Sequence, residues 1–148
     1  MNRRAFVRTS LGATAIAGAP ATARAAAQGA AGSKAREYYQ LRLYHVQSGR
    51  QQKVTDAYLR EALVPAVNRH GISPVGVFSV AVGPASPTFY VLMPAASLET
   101  LATAEARLGQ DSDYWKAGGP FLTAPADQAP FLRIESSLMV AFEGWPKL

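Results

Sequence analysis

The stretch Glu37–Val46, EYYQLRLYHV, constrains the fold most, because it alternates as a strand with two different working faces. Tyr39, Leu41 and Leu43 point one way; Tyr38, Gln40, Arg42 and Tyr44 point the other. The apolar face needs a cover, which two later amphipathic segments can supply. The polar, aromatic face needs a different neighbour, and the chain offers no third layer. The expectation is that a second copy of the protein covers it.

The elements that follow set the architecture. Ser48 and Gln51 have the spacing of a capping box, and Leu59, Leu63 and Val67 recur every fourth residue of a helix reaching about Arg69. Pro65 falls inside it and is expected to kink or divide it, and Gly71 to end it. Val75–Val82, VGVFSVAV, reads as a largely buried strand, and Thr88–Met93 as its hairpin partner across a Gly-Pro turn. Ser97 caps a helix to about Leu108, and Asp111 caps a short turn that carries Tyr114 and Trp115 and stops at Gly118-Gly119-Pro120. After a Pro-rich loop, 121–130, with Phe121 and Leu122 as anchors, Phe131–Phe142 is the last strand. Its Ile134, Leu138 and Val140 share one face, and Arg133, Glu135, Ser137 and Met139 the other.

The order β-α-β-β-α-β predicts an α+β, ferredoxin-like fold: a four-stranded antiparallel sheet with helices on one face. In it the first strand pairs with the last, and Arg42 is expected to meet Glu135 across the sheet. The open sheet face would carry Tyr38, Tyr44 and Met139, a patch that a soluble monomer rarely leaves wet. Two such sheets closing face to face would hide it.

Residues 1–27 stand apart. They hold Arg3, Arg4, Arg8 and Arg24, no acid, and small-residue cleavage patterns ending at Ala23, Ala25 and Ala27. Arg3-Arg4-Ala5-Phe6-Val7-Arg8 resembles the twin-arginine export motif R-R-x-F-L-K, with Val7 and Arg8 as conservative departures and Asn2 in place of Ser or Thr. The expected organisation is a signal peptide at 1–27, a Gly-Ala-Ser linker at 28–36 and one domain at 37–148, exported to the periplasm or beyond. The formal charge of +5 owes four units to those arginines, so about +1 remains for the mature part and nothing points to nucleic acid. No apolar run after residue 27 is long enough to span a bilayer. The chain has no cysteine, which excludes disulfides, thiolate metal sites and a cysteine nucleophile.

At the level of motifs the chain resembles the NIPSNAP family. The likeness lies in Tyr39-Gln40-Leu41-Arg42-Leu43-Tyr44, a Gly-led helix from Gly49 with Pro65 near its end, His70-Gly71, the Val-Gly-Val-Phe strand, and Asp111-Ser112-Asp113-Tyr114-Trp115 before Gly-Gly-Pro. Glu135-Ser136-Ser137-Leu138, Ala141-Phe142 and Pro146 resemble its exported bacterial branch. The likeness spans about residues 37–148. It implies the dimeric α/β-barrel superfamily, in which two ferredoxin-like units close a shared barrel with helices outside. That superfamily includes cofactor-free monooxygenases, haem-degrading and chlorite-degrading enzymes, and proteins without known catalysis.

The candidate cleft or barrel residues are Tyr39, Arg42, Tyr44, His45, Tyr58, His70, Tyr114 and Trp115. His45 and His70, the two histidines, can be read as a proton-transfer pair, and His45 as a haem ligand. The plainer reading of His70 is a cap on a helix C-terminus. Arg42 either binds an anion inside the barrel or pairs with Glu135. Tyr58 either turns its hydroxyl into a cleft or edges the core. Tyr114 and Trp115 form an aromatic lid or pack a short turn. No third ligand stands at a metal-site spacing, no cofactor is expected, and G-x-S-x-G, Walker and G-x-G-x-x-G motifs are absent. The residues therefore leave open whether the protein is an enzyme. The leading expectation is an exported homodimer that binds a small apolar or aromatic molecule between sheet and helices. The alternatives are a non-catalytic interaction or scaffold protein and, further off, a cofactor-independent monooxygenase or a haem-binding protein.

Overall fold

A computed structural model describes residues 36–85 and 87–148. The expected signal peptide and most of the linker lie outside the described residues. The elements are β1 (Tyr38–His45), α1 (Arg50–Ala57), a π-helical turn (Tyr58–Leu63), α2 (Val64–Arg69), β2 (Gly76–Ser79), β3 (Thr88–Ala95), α3 (Leu98–Ala102), α4 (Ala104–Leu108), α5 (Ser112–Leu122), a 3-10 turn (Ala126–Gln128) and β4 (Arg133–Val140). The sheet is antiparallel in the order β2-β3-β1-β4, and the expected ferredoxin-like α+β fold is what forms.

The two faces of β1 are reversed from the expectation. Tyr44 is buried with Phe89, Val91 and Met93 of β3 in the core under the helices, and Tyr38 packs against it. The register makes this consistent, because Tyr44 stands opposite Phe89, Arg42 opposite Val91 and Gln40 opposite Met93. The helices bring Tyr58, Tyr114 and Phe121 to this face, where Tyr44 meets Tyr58 and Phe121 ring to ring. Rings bury more apolar area than leucines, and their hydroxyls can satisfy one another. The aromatic face therefore turns inward, and Leu41 and Leu43 turn outward.

The same register removes the expected Arg42–Glu135 pair. Arg42 stands opposite Ser136 and Glu135 opposite Leu43, on opposite sides of the sheet. Arg42 instead forms an ion pair with Glu105 of α4, and its Nη2 donates to Gln40 Oε1 at 3.1 Å.

The first helix divides before Pro65. Val64 N–H reaches back five residues to Leu59 O, and Pro65 enters the first turn of α2, where no helix donor is required. Its cap is not Ser48: Gly49, at φ 88°, holds the N-cap without a side-chain bond. Gln51 Oε1 accepts the backbone N–H of Gln47 at 2.8 Å, one residue before the Ser48 N–H that the expected box would engage. The second expected helix is divided at Thr103, whose hydroxyl donates to Glu99 O at 2.8 Å.

Helix α5 runs through Gly118-Gly119-Pro120 instead of stopping there. Gly118 is buried, and a Cβ on it would lie 3.3 Å from the Ala62 Cβ, so the missing side chain lets α5 settle on the π-helical turn. Phe121, expected as a loop anchor, is thereby a helical core residue. Strand β2 is shorter than expected and not largely buried: Phe78 is 58% exposed and Val82 95%.

Candidate functional site

The strand, the divided helix and α5 bring four of the candidate residues together. Tyr58 stacks on Phe121 with ring centroids 3.9 Å apart and planes 7° off parallel. Its hydroxyl bonds the Tyr114 hydroxyl at 2.8 Å. Tyr44 lies 6.4 Å from Tyr58 and 6.2 Å from Phe121 between centroids, and Arg42 occupies the next inward position along β1. These rings fill the cleft between sheet and helices. A surface groove of about 200 Å³ between α1 and α5 touches Tyr58 and Phe121 from outside.

Burial pushes the phenols of Tyr44, Tyr58 and Tyr114 above their ordinary value, so none is a ready phenolate. Burial opposes the charge of Arg42, but Tyr44 and Glu105 outweigh it and hold the guanidinium charged. Its Nε is buried without a hydrogen-bond partner.

The other candidates lie elsewhere. His45 is on the opposite sheet face. Its Nε2 is 2.9 Å from Glu135 Oε1, which also pairs with Arg133, and its Nδ1 is 3.3 Å from the Thr88 hydroxyl. His70 is the C-cap of α2, with Nε2 3.3 Å from Asp111 Oδ2. The histidines thus belong to separate clusters on different layers. Asp111 is the cap of α5, accepting Tyr114 N–H at 3.0 Å and the Arg69 guanidinium at 2.6 Å. Those two contacts, the backbone one first, hold its carboxyl below the usual range. Trp115 is half exposed and donates Nε1–H to Gly109 O at 3.1 Å, a surface brace rather than a lid. Among the described residues no group of three His, Asp or Glu side chains could hold a metal ion.

The open face of the sheet is the larger feature. Leu41 and Leu43 of β1, Tyr90 and Leu92 of β3, Phe78 of β2 and Met139 of β4 share it by register. Among the described residues no helix covers them. At one end His45, Glu135 and Arg133 give it a charged rim. At the other a cavity of about 510 Å³ opens, walled by Tyr39, Val75, Leu92, Pro94 and Leu148, with Glu37 beside Tyr39. Tyr39 donates to Glu37 Oε2 at 2.6 Å and accepts Leu148 N–H at 2.8 Å. The reading of β1 alone placed the open face on the other side of the strand. The signal was present in Leu92, Tyr90 and Phe78, whose alternation matches that of Leu41 and Leu43.

The family model described as NIPSNAP matches residues 39–128. Among solved structures, a NIPSNAP family protein of unknown function from Agrobacterium tumefaciens is 18% identical, with 76% of this chain and 94% of that one covered and a TM-score of 0.58. A second Agrobacterium tumefaciens NIPSNAP protein is 21% identical over 76% and 92%, with a TM-score of 0.59. An uncharacterized NIPSNAP domain protein from Burkholderia xenovorans is 18% identical over 74% and 99%, with a TM-score of 0.55. At these identities the likeness speaks for the fold alone. No curated protein sequence matches the chain.

Proposed function

The chain belongs to the NIPSNAP family, and from that premise we propose that it works as an exported homodimer, a non-catalytic interaction scaffold joined through the open face of its sheet. One observation carries this reading: the apolar residues Leu41, Leu43, Phe78, Tyr90, Leu92 and Met139 share one sheet face that no described helix covers, while the sheet–helix cleft is filled by stacked rings. A contiguous apolar face of this kind marks an interaction site in a soluble protein. Two copies meeting there would bury it and close the sheets into a barrel, with the helices outside.

A small molecule seated between sheet and helices loses support from the same packing. Proton transfer by a histidine pair loses it too, because His45 and His70 sit in different layers. Haem binding through His45 would need the imidazole released from Glu135 and Thr88. No helix among the described residues is long and apolar enough to cross a membrane.

Sedimentation of the purified mature chain tests the reading. A particle of twice the chain mass is expected, and Leu43→Glu should reduce it to single chains that remain folded by circular dichroism. A monomeric wild type at micromolar concentration would refute the scaffold. Export is tested apart from it: Arg3→Lys with Arg4→Lys should leave the chain inside the cell with its leader uncleaved.

A further inference from the structure

The cavity beside Tyr39 is on the face opposite the ring cluster, and its chemistry is lopsided. Its wall is mainly apolar: Tyr39, Val75, Leu92, Pro94 and Leu148. At about 510 Å³ it falls in the size range of small-molecule sites. Glu37 contributes a side-chain carboxylate to its lining. Glu37 Oε2 accepts the Tyr39 hydroxyl, and no described side chain forms an ion pair with Glu37 or bonds its Oε1. Tyr39 is itself satisfied on both sides, donating to Glu37 and accepting from Leu148. The phenol is held protonated, by burial first and then by its bond to Glu37, so it stays a donor and keeps the carboxylate in place.

A half-buried carboxylate with no cation paired to it among the described residues, beside an apolar wall, is complementary to one class of molecule. We propose that this cavity binds a small, mainly apolar amine, its hydrocarbon body against Leu92, Pro94 and Val75 and its ammonium on Glu37. A charge-assisted N–H to Oε1 bond gives orientation, and burial of the hydrocarbon gives affinity. Leu92 belongs both to this wall and to the open face, so in the proposed dimer a second copy would border the cavity.

The test uses 1-naphthylmethylamine, cationic at neutral pH, and 1-methylnaphthalene, its neutral counterpart in shape, titrated calorimetrically into the purified protein. Saturable binding of the amine is expected. Ala96→Trp, on the exposed turn lining the cavity, should fill the space and weaken both compounds by about tenfold or more. Glu37→Gln should weaken the amine by roughly threefold to tenfold and leave methylnaphthalene unchanged. No saturable binding to the wild type, or undiminished binding to Ala96→Trp, overturns the site. A Glu37→Gln variant that binds the amine as well as the wild type overturns the assignment of the carboxylate. Sedimentation of the same samples reports the dimer separately, so loss of the site and loss of the scaffold are distinguishable.

Discussion

Tyr58 and Tyr114 each bring one hydroxyl into the core, and each is the other's partner. That makes single truncation costly and double truncation cheap. Tyr58→Phe leaves the Tyr114 hydroxyl buried beside nothing, and should cost about 1–2 kcal/mol. Tyr58→Phe with Tyr114→Phe removes the demand along with the bond, and should cost less than either change alone would suggest. Urea unfolding of the four proteins of the cycle checks this, and strict additivity would contradict it. Asp111 gives a pH signature at the same scale. Its folded-state pKa is depressed below the ordinary 3.8, so its contribution is complete above that value and is lost as the pH falls through the folded pKa. The gap in melting temperature between wild type and Asp111→Ala should hold at neutral pH, begin to narrow at 3.8 and close below it. Asp111 and Ser97 were legible as caps from their spacing, because a cap is a local arrangement. The partner of Arg42 was not, because Glu105 lies 63 positions along the chain on another layer.

At the scale of elements, two adjacent glycines of α5 have opposite meanings. A Cβ on Gly118 would meet Leu122 Cδ1 at 2.8 Å and Ala62 Cβ at 3.3 Å, while a Cβ on Gly119 would meet nothing within 4 Å beyond its chain neighbours. Gly118→Val should force α5 from the π-helical turn and destabilise by about 1–3 kcal/mol. Gly119→Ala gains a better helix former but sets a Cβ against the ring of Pro120 that follows, so it should change stability by less than about 1 kcal/mol. Chemical denaturation of both variants decides it; equal effects would mean that the close approach is not what the first glycine serves. Read as a string, Gly-Gly-Pro is a stop. Packing overrides it here, because Phe121 one residue further on finds a stacking partner in Tyr58, and such a ring pair adds about 0.5–1.5 kcal/mol beyond its buried area. Pro65 was legible as a break because its missing donor acts locally. The π-helical widening before it was not, since it depends on how Leu59, Ala62 and Leu63 seat against the sheet.

For the whole molecule, the described helices cover β1 and β3 on one side of the sheet, leave Ile134, Leu138 and Val140 of β4 exposed there, and leave the other side unfinished. If the unfinished side is completed by a second copy, stability is coupled to concentration. The melting temperature of the wild type should rise with protein concentration, and that of Leu43→Glu should be lower and flat. A wild-type value independent of concentration over two decades would count against the scaffold. The sequence by itself determined the strands, their order and the helices between them, because hydrophobic period, caps and turn residues are written within a few residues of where they act. It also determined that the two faces of β1 differ. Only the tertiary structure decided which face turns inward. Alternation reports a difference between two sides and carries no sign, and both sides of β1 can be buried. The sign came from distant residues, Phe89, Val91 and Met93 by register and Tyr58, Tyr114 and Phe121 from the helices, whose rings made the aromatic side the better one to enclose.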